Sequence, residues 1–191
     1  MGGEYQKKNG VNGMDKWLEV PGWFEPDEGK KLQELAAGKV CVEVGSFKGR
    51  SAACMGAVAK VVHCVDYFRT DVGDGQSQED HFTVLDEFNK NTKGYIIRIH
   101  IGSSLHACQD FEPESVDLVF IDALHTYKGV MCDILCWWDI VKMGGIFCFH
   151  DYGFGFHGVT QAVNQVFKHV DDIPVGSFAW VTKRREDFWR M

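Results

Sequence analysis

A chain of 191 residues, 45% hydrophobic and 25% charged, can bury a sizeable core without disulfide or metal staples. Twenty Lys and Arg against 27 Asp and Glu give a net charge of −7, which argues against a general binder of nucleic acid or of anionic membrane surface. The seven cysteines are odd in number, sit mostly in apolar runs and form no CxxC pair, so they read as reduced thiols of a cytoplasmic protein. The first residues carry no apolar core of a secretory signal, and no run approaches the length of a membrane span.

Residues 1–13 are polar and rich in Gly and Asn, the composition of a mobile tail, and residues 14–191 read as one domain. Its N-terminal helical segment, 14–38, begins with a short helix from Met14 to Val20 that Pro21-Gly22 breaks. A second helix is expected from Asp27 to Ala37. Pro26 suits its first turn, Asp27 and Glu28 suit its positive end, and Gly38 closes it. From Val40 the pattern alternates. Strands are expected at Val40–Val44, Val61–Val65, Ile96–Ile101, Val116–Ile121 and Ile146–His150. Helices fall between them at Arg50–Ala59, Glu79–Asn89, a short piece at Leu105–Phe111, and Tyr127–Val141. Gly144-Gly145 reads as a sharp stop before the fifth strand, a helix follows over Gly158–His169, and Ile173–Thr182 reads as a strand pair. Phe68–Glu79, rich in Gly and acids, reads as a flap, and Lys183-Arg184-Arg185 as a solvated end.

The strands are near-continuous apolar runs, the mark of a parallel sheet covered on both faces. The fold class is therefore α/β, a Rossmann-like doubly wound sheet with helices on both faces. Ligands of such sheets sit beyond the carboxyl ends of the strands, near the switch in strand order. The residues there are Gly45 to Gly49, Asp66, Gly102-Ser103-Ser104, Asp122 to His125, and His150-Asp151-Tyr152.

Val40–Val44, the glycines at 45 and 49, and the helix from Arg50 form a nucleotide-type corner. Phe47 stands where a dinucleotide fingerprint has its middle glycine, which disfavours NAD(P). Glu43, inside the apolar strand, suits a carboxylate that holds the loop backbone or a ligand ammonium. Asp66 can accept both hydroxyls of a ribose, whether of NAD or of S-adenosylmethionine (SAM). His125 is a candidate general base. Asp122, His150 and Asp151 could bind one hard divalent cation, or work as a metal-free acid–base set. His157 and Phe154-Gly155-Phe156 are candidate pocket residues, and Trp137-Trp138 reads as core.

Four motifs in order, Val-Glu-Val-Gly-Ser-Phe-Lys-Gly-Arg-Ser, Val-Asp-Tyr-Phe, Val-Asp-Leu-Val-Phe-Ile-Asp-Ala-Leu-His-Thr-Tyr and Lys-Met-Gly-Gly-Ile-Phe-Cys-Phe-His-Asp-Tyr, resemble class I SAM-dependent methyltransferases. The subgroup most similar includes macrolide-sugar O-methyltransferases and cephalosporin-hydroxylase-like proteins. The resemblance implies a mostly parallel seven-stranded sheet with an antiparallel C-terminal hairpin. It implies that Glu43 and Gly45 hold the methionine part of SAM, Asp66 the ribose, and Ser103 and Ser104 the adenine side. The implied cofactor set is Glu43, Gly45, Ser46, Phe47, Gly49, Asp66, Tyr67, Ser103, Ser104 and Asp122. In the sugar-methylating relatives the acids at Asp122 and Asp151 bind magnesium, and the histidine at His125 is the base. Leu124 and His150 stand where relatives have acids, and each removes negative charge.

The expected activity is O-methylation of a small hydroxylated acceptor, with His125, Asp122 and Asp151 catalytic, SAM as cofactor and Mg²⁺ left open. Nucleic acid and membrane are not expected partners, and a homodimer is left open. The alternatives are a SAM- or nucleotide-binding module without transferase activity, and an NAD(P) oxidoreductase.

Overall fold

The apolar runs pair into one sheet whose order, β3-β2-β1-β4-β5-β7-β6, reverses direction between β1 and β4. A computed structural model of the chain describes residues 13–69, 81–153, 155–172 and 176–185. The strands are β1 (Val40–Val44), β2 (Val61–Asp66), β3 (Ile97–Ile101), β4 (Val116–Ile121), β5 (Val141–Phe149), β6 (Asp171–Asp172) and β7 (Ala179–Thr182). The first five are parallel; β7 runs antiparallel to β5, and the two-residue β6 antiparallel to β7. The mostly parallel sheet and the antiparallel C-terminal hairpin agree with the sequence reading.

Helices cover both faces because alternate strand residues point to opposite sides. Val42, Val44, Val119, Ile121, Phe147 and Phe149 pack with α5 (Tyr127–Trp138) and α6 (His157–Val166). Cys41, Val62, Cys64, Leu118, Phe120 and Cys148 pack on the other face with α1 (Pro26–Ala36), α2 (Arg50–Gly56) and α3 (His81–Asn91). A one-turn α4 (Ser104–Ala107) follows β3. Trp137 and Trp138 are core residues, as expected. Among the described residues no helix is long and apolar enough to cross a membrane.

The segment before α1 is a 3-10 helix, Gly13–Glu19, rather than an α-helix. Trp17 lies buried from it against Gly29 of α1, where a Cβ would come within 2.1 Å of the indole. Arg50, the first residue of α2, ties this strap down by donating to the carbonyls of Leu18, Val20 and Phe24.

Three expectations change. Gly144-Gly145 does not precede the fifth strand but lies inside it: β5 begins at Val141, and its register against β4 shifts between Val116 and Leu118. Gly144 has φ +77°, so the residue that looked like a stop absorbs a bulge. Lys183 is buried, not solvated; its Nζ donates to the carbonyls of Trp138 and Val141. Trp138 is the last residue of α5, whose final carbonyls have no partner within the helix. Finally, α2 ends at Gly56 and α5 at Trp138, each three residues before the expected end. The tail at 1–12, most of the flap (70–80), Phe154 and residues 173–175 of the strand pair lie outside the described residues.

Candidate active site

The parallel register brings the ends of β1, β2, β4 and β5 to one edge. Gly45 N donates to Val65 O, Asp122 N to Val44 O, and His150 N to Ile121 O, so each strand hands its neighbour into the same rim. Gly45 has φ +90°, and a Cβ there would sit 2.1 Å from the Asp122 carbonyl oxygen. Only glycine allows β1 to turn this close to β4. Gly49, at φ +85°, is the residue from which α2 starts.

Glu43 is fully buried behind this corner. Burial pushes its carboxyl up to about 7, while the hydroxyls of Ser46 and Ser51 and the thiol of Cys64 pull the other way. Glu43 Oε1 and Ser46 Oγ are buried without a well-formed hydrogen bond. Buried polar atoms are costly when unpaired, so the corner is chemically suited to a ligand that supplies donors.

Asp66 is engaged differently from the expectation. Its Oδ2 accepts from both Ser46 N and Phe47 N at 2.7 Å, and its Oδ1 from Phe68 N at 2.7 Å. Burial pushes its carboxyl up, and these amides oppose that. In this conformation Asp66 staples the glycine loop to β2, with Phe47 at φ +42°. Tyr67 beside it is exposed. The serines after β3 are also occupied: Ser103 Oγ caps α4 by accepting from His106 N, and Ser104 Oγ accepts from Trp137 Nε1 at 2.9 Å.

Facing the corner is a cluster from β4, β5 and α1. His125 Nε2 lies 2.9 Å from Asp151 Oδ2 and 3.8 Å from Asp122 Oδ1. Phe156 packs on the His125 ring at 4.3 Å. Asp151 adopts φ +59°, a left-handed turn that Asp tolerates better than most residues. His150 Nδ1 stands 3.3 Å from Asp122 Oδ1 and 3.4 Å from Asp151 Oδ2, and its Nε2 stands 3.2 Å from Glu28 Oε2. Burial pushes the Asp122 carboxyl up, but the His150 charge and the nearness of both histidines outweigh it and hold the group well below the usual range. The same opposition, burial against histidine contacts, leaves Asp151 lowered. Burial alone would lower His150, yet Asp122, Asp151 and Glu28 raise it far above the ordinary histidine value.

One cleft of about 150 Å³ is lined by both halves, including Gly45, Ser46, Gly49, Asp122, His125 and His150. Its outer wall is the strap, where Trp23 stacks on Phe47 at 5.8 Å. Ligand pockets usually hold about 300–1,000 Å³, so this cleft is smaller than most.

Glu28 and Arg50 were not among the sequence candidates. An acid in the first turn of a helix serves the helix dipole equally well, and nothing near Glu28 in the chain points to His150. Of the expected cation set, Asp122 and Asp151 meet, together with His125, whose ligand atoms lie within 4.8 Å of theirs. His150 does not present a free nitrogen to that point, because both ring nitrogens already face carboxylates. Magnesium takes one or two carboxylates and keeps several waters, so Asp122 and Asp151 would be the residues to hold it, with His125 beside them.

The strand order, the glycine corner at the β1/β4 switch and the acid ending β2 define a class I SAM-dependent methyltransferase domain. A family model described as a methyltransferase domain matches residues 42–152, more than half of the chain, and the chain belongs to that family. Among solved structures, a protein of Corynebacterium glutamicum is 14% identical, with 93% of this chain and 92% of that one covered and a TM-score of 0.67. An O-methyltransferase of Bacillus cereus in complex with SAH is 15% identical, with 92% of each chain covered and a TM-score of 0.63. An uncharacterised protein of Acanthamoeba polyphaga mimivirus is 25% identical over 138 residues, 72% of this chain; the chain spans 62% of that protein's length.

Proposed function

We propose that the protein transfers the methyl group of SAM to an oxygen of a small hydroxylated acceptor, of sugar or natural-product type, with His125 as the base. The observation that carries this reading is that His125 lines the same cleft as Gly45 and Ser46 while lying 2.9 Å from Asp151. A histidine that gains a proton beside ionised carboxylates is stabilised in its charged form, as a base must be. Phe156 on one side of the ring restricts its motion.

SAM brings a sulfonium that is already a strong methyl donor. The chain's own contribution is to align the acceptor and take its proton. Glu43 and Gly45 would hold the methionine end, where the buried Glu43 carboxylate can accept from a donor-bearing ligand. Asp66 would hold the ribose after giving up amides of the glycine loop. The adenine would lie beside Ser103 and Ser104; both hydroxyls have partners, so their contribution there is backbone and shape.

The test is a screen of sugar and phenolic acceptors with methyl-labelled SAM, scored by labelled product. Transfer to hydroxyl oxygen supports the reading. SAH binding without transfer to any acceptor favours a non-catalytic SAM-binding module instead.

A further inference from the structure

We propose that Cys108, Cys132 and Cys136 form a second site, which binds a soft, thiophilic cation of the Zn²⁺ or Cu⁺ class on the outer side of α5. This site shares no residue with the cleft and stands whether or not the chain transfers a methyl group.

Cys132 and Cys136 lie one turn apart on α5, so they share a face of the helix, and their sulfurs stand 3.9 Å from each other. The third thiol belongs to the 3-10 turn Cys108–Asp110 that follows α4, and it neighbours that of Cys136. Spacing in the chain reveals only the pair; the fold delivers the third sulfur. The other four cysteines, Cys41, Cys54, Cys64 and Cys148, are all buried. Every thiol that reaches the surface is therefore gathered at one place.

The separation of the sulfurs suits a cation. Two thiolates bonded to one metal at about 2.3 Å stand about 3.8–4.0 Å apart in tetrahedral or trigonal geometry. Cys132 and Cys136 already have that separation. A disulfide needs about 2.05 Å, so the same pair would have to close by nearly half. Oxidation also needs a thiolate as nucleophile, and burial together with the two neighbouring thiols pushes Cys136 up to about 12. A cation relieves this crowding, because it displaces the thiol protons and pairs the charges left behind. Soft sulfur ligands select Zn²⁺ and Cu⁺ over Mg²⁺ and Ca²⁺. Cys132 is exposed, so its side chain can turn between rotamers to draw the three sulfurs onto one ion, and water can take a fourth position.

The site would also brace the fold. Cys136 adjoins Trp137, whose Nε1 donates to Ser104 Oγ of α4 at 2.9 Å. A cation held by Cys108 and α5 would join the same two parts of the chain a second time, and an ion that binds only the folded chain stabilises it.

The test titrates the whole, reduced protein with Cd²⁺ and follows the ultraviolet charge-transfer absorption that cadmium gives only when bound to thiolate. One Cd²⁺ per chain is expected to produce this band, and Zn²⁺ to abolish it by competition. Cys108, Cys132 and Cys136 are expected to become protected from iodoacetamide together, read by peptide mass spectrometry. Cys132→Ser, Cys108→Ser and Cys136→Ser are each expected to weaken Cd²⁺ binding by at least about tenfold. Cys132→Ser alters an exposed side chain and keeps the test open if a change at Cys108 or Cys136 impairs folding. Cd²⁺ uptake without the band places the ion on carboxylate or imidazole and overturns the proposal. So do unchanged affinity in Cys132→Ser, the absence of saturable binding, and a Cys132–Cys136 disulfide formed by hydrogen peroxide in a chain that takes up no cation.

Discussion

Glu28 Oε2 lies 3.2 Å from His150 Nε2, although 122 residues separate the two in the chain. The contact joins the first turn of α1 to the end of β5, and Ser177, just before β7, completes it. Burial pushes the Glu28 carboxyl up, but His150 and the amides of Glu25 and Ser177 outweigh that and leave it lowered. Removing Glu28 leaves His150 its contacts with Asp122 and Asp151 but strips the Glu25 and Ser177 amides of their acceptor, at a cost of about 1–3 kcal/mol. Glu28→Ala is therefore expected to lose stability of that order in urea unfolding. A loss below about 1 kcal/mol, the range of an exposed pair, would contradict the contact's importance.

Asp66 gives a second expectation. Its carboxylate accepts from the Ser46, Phe47 and Phe68 amides. Asp66→Ala is expected to weaken SAH binding by about 1–3 kcal/mol, the cost of losing hydrogen bonds to a charged acceptor. Calorimetry with SAH reads this directly. Unchanged affinity would rule out a ribose contact and leave Asp66 as the loop's staple only.

Glu43 sets a pH dependence. Its carboxyl ordinarily ionises at 4.5, and burial raises it to about 7 in the folded chain. Between these values the folded state holds a proton that the unfolded state has lost, so stability falls as pH rises through this window. Glu43→Gln cannot ionise. The stability of wild type relative to Glu43→Gln should therefore decline from pH 4.5 to about 7 and level off above. Parallel curves for the two proteins would show that Glu43 titrates normally. Because an ammonium at the corner would favour ionised Glu43, SAM binding near neutral pH is expected to release a proton, seen as a buffer-dependent calorimetric enthalpy.

Much of the fold was legible in the chain because its signals are local. Five apolar runs of strand length, punctuated by helices, require a covered parallel sheet, and the residues just after each run fall at one rim. Glycine was harder to read. At Gly45 and Gly49 it marks a turn, as expected, but at Gly144 the same residue absorbs a bulge inside a strand. Lys183 looked like part of a solvated basic end; its burial depends on carbonyls at the end of α5 that the local sequence does not reveal. The site divides the same way. Asp122, His125 and Asp151 could be named from strand ends, and they meet. Glu28 could not, because its partners come from the far end of the chain. The engagement of Asp66 with the loop amides depends on how the glycine turn folds back over β2, and spacing carries no sign of it.

The central claim is that the glycine corner holds the methyl donor and His125 removes the acceptor's proton. The most direct measurement compares wild type with His125→Ala in two assays, SAH affinity by calorimetry and single-turnover methyl transfer to the best acceptor found. The account expects SAH affinity to stay nearly unchanged and transfer to fall by about 10²–10⁴-fold, the usual contribution of a general base. An equal loss in both assays, or transfer that survives without His125, would contradict it.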